Sequence, residues 1–79
     1  MQLIWFDQAW TDYTSWIDDT PRLVFRVNHL IDDIRHGRCM GVPLQANQWS
    51  RRIDDEHRLI YQIRENCIEI LSCRGHYED

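Results

Sequence analysis

The spacing of apolar residues changes character several times along the chain. Residues 2–6, Gln-Leu-Ile-Trp-Phe, form a short apolar run of the kind that a buried strand carries. Asp7 suits an N-cap, and a helix is expected from there to about Asp18. Within it Ala9/Trp10, Tyr13 and Trp16/Ile17 recur at spacings of three and four, giving one apolar stripe. Asp18-Asp19-Thr20-Pro21 interrupts that stripe and starts another, with Thr20 as N-cap and Pro21 at the first helical position. The second helix should run to about His36 with Leu23/Val24, Val27, Leu30/Ile31 and Ile34 buried, and Gly37 should stop it.

Residues 37–48 have no period and contain Gly37, Gly41 and Pro43, which predicts a loop. Three strands follow at close intervals: 48–53, 57–63 and 67–73. Their connections, Asp54-Asp55-Glu56 and Arg64-Glu65-Asn66, are short enough to require antiparallel hairpins. The expected fold is α+β, in the order β-α-α-β-β-β. Two consecutive helices pack on one face of a small, largely antiparallel sheet. Residues 1–79 fit one domain. Leu59, Tyr61 and Ile63 should face the helices. Arg58, Ile60, Gln62 and Arg64 should face the other way, onto a surface that nothing else in the chain covers.

Composition narrows the chemistry. Nine basic residues, every one arginine, against 13 acidic ones give a net charge of −4. No apolar run approaches the roughly 18 residues that a membrane span needs, and Met1 leads straight into Leu3-Ile4-Trp5-Phe6 without a basic leader, so the cytoplasm is the expected location. Cys39, Cys67 and Cys73 are odd in number and lack C-x-x-C spacing. His29, His36, His57 and His76 are scattered. Neither a disulfide, nor a metal site, nor any cofactor is expected. His29 and His36 read as surface positions of the second helix, and Trp10, Tyr13 and Trp16 as packing residues of the first.

The charge is uneven. Residues 49–76 carry Arg51, Arg52, Arg58, Arg64 and Arg74, while three of their acids crowd into the turn 54–56. Arginine suits bidentate contact with phosphate oxygens, and Arg52 and Arg58 should approach each other across the hairpin. Two interpretations stand side by side: a phosphate-binding face, or a solvated face laced with Arg–carboxylate pairs. Net charge favours the second, because it gives no strong basic field.

The string Trp49-Ser50-Arg51-Arg52-Ile53, then Glu56-His57-Arg58-Leu59-Ile60-Tyr61, then Cys73-Arg74-x-His76-Tyr77, resembles the YoeB/Txe family of toxins in the RelE superfamily. Leu3-Ile4-Trp5, Trp10-x-x-Tyr13-x-x-Trp16, Asn28-x-Leu30-Ile31-x-Asp33 and Pro43-Leu44 extend the resemblance over nearly the whole chain. It implies a ribonuclease that enters the A site of the 70S ribosome and cuts mRNA there without a metal. The RNA 2′-hydroxyl attacks the adjacent phosphate, leaving a 2′,3′-cyclic phosphate and a 5′-hydroxyl. That chemistry needs a base, a cation for the phosphorane and an acid for the leaving oxygen. The resemblance assigns Arg58 to the phosphate, His76 to the acid and Tyr77 to orienting the scissile phosphate. Arg51, Arg52 and Arg74 become RNA-binding residues. It also implies a YefM-like antitoxin whose disordered acidic segment folds onto the toxin, and it leaves room for a toxin homodimer built on the first helix or an exposed tryptophan.

Two departures bear on activity. The family's catalytic glutamate before Pro-Leu is Val42 here, and the lysine after it is Gln45. Glu56, Asp55 or His57 could supply the missing base from the neighbouring turn. Three functions therefore compete: an mRNA-cleaving toxin; a weak or inactive relative that keeps the antitoxin-binding surface; and a relative that poisons another target such as DNA gyrase. The terminal His-Tyr beside an arginine speaks against the last.

Overall fold

The computed structural model describes residues 1–75. The elements are β1 (Gln2–Trp5), α1 (Asp7–Asp19), α2 (Pro21–Arg35), β2 (Val42–Pro43), β3 (Gln48–Arg52), β4 (Arg58–Arg64) and β5 (Cys67–Ser72). The strands form one sheet in the order β1-β5-β4-β3-β2. β1 runs parallel to β5, and every other pairing is antiparallel. The expected α+β order holds, with one strand added.

That strand corrects the expectation of an unstructured 37–48 loop. Val42 pairs with Ser50 and Pro43 with Trp49. The pairing depends on Gly41, whose φ is +94° and whose backbone lies so near β3 that an added Cβ would meet the Ser50 carbonyl oxygen at 2.2 Å. A sequence period cannot reveal two residues that join a sheet edge.

The start of α1 also differs from expectation. Asp7 is its first helical residue and Phe6 is the N-cap, with no side-chain cap. Phe6 takes that position because its N–H still bonds the Ile70 carbonyl (3.0 Å) while its own carbonyl already accepts from Trp10 N–H (2.9 Å). One residue thus closes the parallel ladder and opens the helix. Asp7 in the first turn favours the positive end of the helix dipole. Thr20 and Pro21 start α2 as expected, although the Thr20 side chain makes no capping bond.

The core lies between the helices and one sheet face. Ala9, Trp16, Leu23, Val27, Leu30, Ile31 and Ile34 meet Leu59, Tyr61, Ile68 and Ile70, with Ile63 packed alongside. The period-2 assignment of β4 is therefore correct. Trp10 packs as expected for the first helix, on Trp5 and Tyr13 with ring centroids 5.7 Å from each, yet stays 52% exposed. His29 is exposed on α2, as expected, and His36 is exposed at its C-cap. The β4–β5 turn places Glu65 (φ 46°) and Asn66 (φ 64°) between the paired Arg64 and Cys67, which is the two-residue geometry that matches strand twist.

Two buried acids make the fold sensitive to alkali. Burial, aided by the Asp12 charge and opposed by a Trp16 hydrogen bond, pushes the Cys73 thiol from 9.0 to about 12. Burial pushes the Tyr61 phenol from 10.0 to about 12, against the pull of Arg51. Both groups hold their protons more tightly folded than unfolded, so their stabilisation is complete below pH 9 and fades as pH rises toward 12. Urea midpoints should accordingly fall steeply between pH 9 and pH 11, and Cys73→Ala should flatten part of that decline.

Candidate functional site

The sheet face turned away from the helices carries three rows of side chains, fixed by register. The first is Gln48, Gln62 and Glu69: Gln48 Nε2 donates to Gln62 Oε1 (3.2 Å), and Gln62 Nε2 donates to Glu69 Oε1 (2.6 Å). The second runs Val42, Ser50, Ile60, Ser72 across four strands. The third pairs Arg52 with Arg58. Cross-strand partners share a face, so Val42 and Arg58 both flank Ser50.

Arg58 leans diagonally from its own row into the second, where its Nε donates to Ser50 Oγ. The face is consequently less bare than the sequence suggests. Ser50 is only 1% exposed, and Ile60 is 7% exposed although it lies outside the main core. Among the described residues Arg58 forms no ion pair with a carboxylate, and no cavity encloses it.

Three other arginines expected at the site are engaged. Arg52 does face Arg58 across the hairpin, as expected, but its guanidinium pairs with Asp55 and reaches the Asp54 carbonyl (3.4 Å). Arg51 points the opposite way, toward α2. There it meets Asp33 (3.5 Å) and donates to the Cys39 carbonyl (3.0 Å), so the structure does not bring it to the Arg58 face. Arg74 lies over the Trp16 indole (4.3 Å) and bonds Ser15 Oγ (2.6 Å) and Asp19 (2.8 Å). His76 and Tyr77 lie outside the described residues.

The acidic turn is built around Asp54. Burial works against its ionisation, but the N–H groups of Glu56 (2.9 Å) and His57 (2.8 Å) outweigh that and hold its carboxyl below the usual range. Asp54 is thus a structural cap. Asp55 is tied to Arg52. Glu56 stays 80% exposed, with Oε2 3.9 Å from His57 Nε2. His57 is half-buried. Its Nδ1 accepts the Gly75 N–H (2.8 Å), and its ring packs edge-on against Trp16 (4.7 Å). No group of three or more His, Cys, Asp or Glu among the described residues is placed to hold a metal ion.

Sequence reasoning missed Ser50 as the partner of Arg58 and Asp12 as a buried anchor. Asp12 Oδ2 accepts the Cys73 N–H (3.0 Å), and its neighbour one turn on, Trp16, donates from Nε1 to the Cys73 carbonyl (3.0 Å). Asp12 sits among the Trp10-x-x-Tyr13-x-x-Trp16 residues, and a lone acid on that buried stripe was the available signal.

Gly41 sets the register that brings position 42 to Ser50. Gly41→Ala should cost about 1–3 kcal/mol, since it adds a backbone clash to a left-handed φ. It should also release β2, seen as faster amide exchange at Ser50 and a lower denaturation midpoint.

Residues 5–77 match the family model described as a YoeB-like toxin of bacterial type II toxin–antitoxin systems. The chain is 40% identical to Toxin YoeB of Escherichia coli K12 over 98% of its own length and 100% of that protein. Its structure is similar to a YoeB/ParE toxin from Agrobacterium tumefaciens, with a TM-score of 0.87 and 35% identity, covering 98% and 100% of the two chains. It is also similar to the toxin in a YoeB–YefM complex from Staphylococcus aureus, with a TM-score of 0.83 and 29% identity over 98% of each. With family model, sequence identity and fold in agreement, the chain belongs to the YoeB-like toxins of bacterial type II toxin–antitoxin systems.

Proposed function

We propose that this protein is an endoribonuclease that cleaves mRNA in the ribosomal A site and is held in check by a YefM-like antitoxin. The observation that supports this most is Arg58. It is half-buried, oriented by Ser50 and paired with no carboxylate among the described residues. A guanidinium held in that way is suited to the charge that develops on a phosphorane, because its orientation is fixed before the charge appears.

The reaction begins with attack of the RNA 2′-hydroxyl on the neighbouring phosphorus. Arg58 stabilises the phosphorane oxygens. His76 protonates the departing 5′-oxygen and Tyr77 orients the phosphate. The proton of the 2′-hydroxyl needs an acceptor. Glu56, exposed on the turn beside Arg58, is the nearest carboxylate in sequence that is tied neither to an arginine nor to a backbone amide among the described residues. Arg52 and Arg74 meet RNA only by exchanging Asp55 and Asp19 for phosphate oxygens. An antitoxin with an acidic segment would suit the same face by charge; a Staphylococcus aureus relative forms a YoeB–YefM complex.

One observation favours a second function. Val42, which flanks Ser50 in the second row, is 54% exposed and cannot accept a proton. A toxin that lacks its base there could persist as a slow or inactive antitoxin-binding protein.

Mapping mRNA cuts on programmed ribosomes separates the two. Codon-phased cleavage should appear with the wild-type chain and fall by about 10²–10³-fold in Arg58→Ala. Absent cleavage together with tight antitoxin binding would favour the second function. With Glu56 as the base, Val42→Glu should leave cleavage unchanged; a rise of at least about tenfold would mean that the base is missing, since one acid–base group contributes roughly 10²–10⁴-fold.

A further inference from the structure

We infer that His57 is a positioning residue: its ring fixes the Gly75 peptide against the strand that carries Arg58, and so sets the direction in which the described chain ends beside that strand. Gly75 is gripped on both sides. Its N–H donates to His57 Nδ1 (2.8 Å), and its carbonyl accepts the backbone N–H of Arg58 (3.1 Å). Because Nδ1 accepts, the ring proton sits on Nε2, the nitrogen 3.9 Å from Glu56 Oε2.

The ring is itself held. Its edge meets the Trp16 indole at 71° between planes, and the His57 backbone N–H is tied to Asp54 Oδ1 (2.8 Å). Gly75 has φ +90°, a conformation that an L side chain would resist, so its peptide is turned to suit these two bonds. The two preceding residues are anchored differently. Asp12 and Trp16 hold Cys73, and Ser15 and Asp19 hold Arg74, all from α1. Among the described residues, only the His57 and Arg58 bonds tie Gly75 to β4. The direction in which the chain departs from Gly75 is therefore set at that peptide by the His57 ring together with the Arg58 N–H, while α1 fixes the two residues before it.

Two measurements test this, and only the second rests on the ribonuclease function proposed above. The first is the NMR exchange rate of the Gly75 amide. The second is single-turnover cleavage of a defined mRNA on programmed ribosomes. Wild type is compared with His57→Phe, which keeps a ring against Trp16 but offers no acceptor, and His57→Asn, which puts an amide oxygen near the Nδ1 position. In His57→Phe the Gly75 amide should exchange at least about tenfold faster, and the single-turnover rate should fall at least about tenfold at an unchanged half-saturating ribosome concentration. His57→Asn should recover most of both losses. Protected amides of Ile68 and Ile70 certify the fold; should His57→Phe lose them, His57→Leu, which also offers no acceptor, takes its place. Unchanged Gly75 exchange, or faster exchange with an unchanged cleavage rate, overturns the inference. A wild-type chain that does not cleave at all refutes the ribonuclease function instead, and the Gly75 exchange rates then decide the anchor on their own.

Discussion

The peptide of Cys73 is bonded at both ends by one helix. Asp12 takes its N–H and Trp16 gives to its carbonyl, from positions one helical turn apart on α1. Asp12 and Trp16 are 6% and 2% exposed, and the Cys73 side chain is fully buried. Losing either partner would leave a polar group without water or protein to satisfy it, a cost of about 1–3 kcal/mol. This joint ties the end of β5 to α1, and β5 lies between β1 and β4. The position of the Arg58 face relative to α1 is set by it.

Much of the arginine complement is spent on internal order. Arg38 bonds Asp32 (2.5 Å) and Asp33 (3.0 Å) at the end of α2, Arg51 joins Asp33, and Arg74 joins Asp19. The Arg38 hydrogen bond holds the Asp33 carboxyl below the ordinary range. The exposed pairs of Arg38 and Arg74 contribute little each, but they neutralise charge locally. A chain of net charge −4 with four of its nine arginines paired to carboxylates among the described residues therefore has little positive charge to spread. Recognition of a polyanion then depends on a few placed groups more than on a general field.

The helices, the three long strands and the two faces of β4 were legible in the sequence, because each follows from a period that burial enforces. Leu59, Tyr61 and Ile63 alternate with Arg58, Ile60 and Gln62, and a strand can satisfy that pattern in only one orientation. The β2 pairing was not legible, since it arises from a single close approach at Gly41. Nor was the parallel union of β1 with β5, because a short apolar strand carries no signal of its partner. At the candidate site, the approach of Arg52 to Arg58 could be read from hairpin register. The bonds of Arg58 to Ser50 and of His57 to Gly75 could not, because they join side chains and peptides that are diagonal or distant in sequence. The motif that resembles the YoeB family pointed to Arg58 and its neighbours without giving their contacts.

Sheet order also has a kinetic side. The first strand finds its partner only in residues 67–72, so during synthesis it must wait, apolar and unpaired, until nearly all of the described chain has been translated. Helices α1 and α2 can form early, yet the layer they cover arrives last. A nascent chain of this topology has no assembled Arg58 face to offer. The face that carries Arg58 is complete only once the last strand, residues 67–72, has been made.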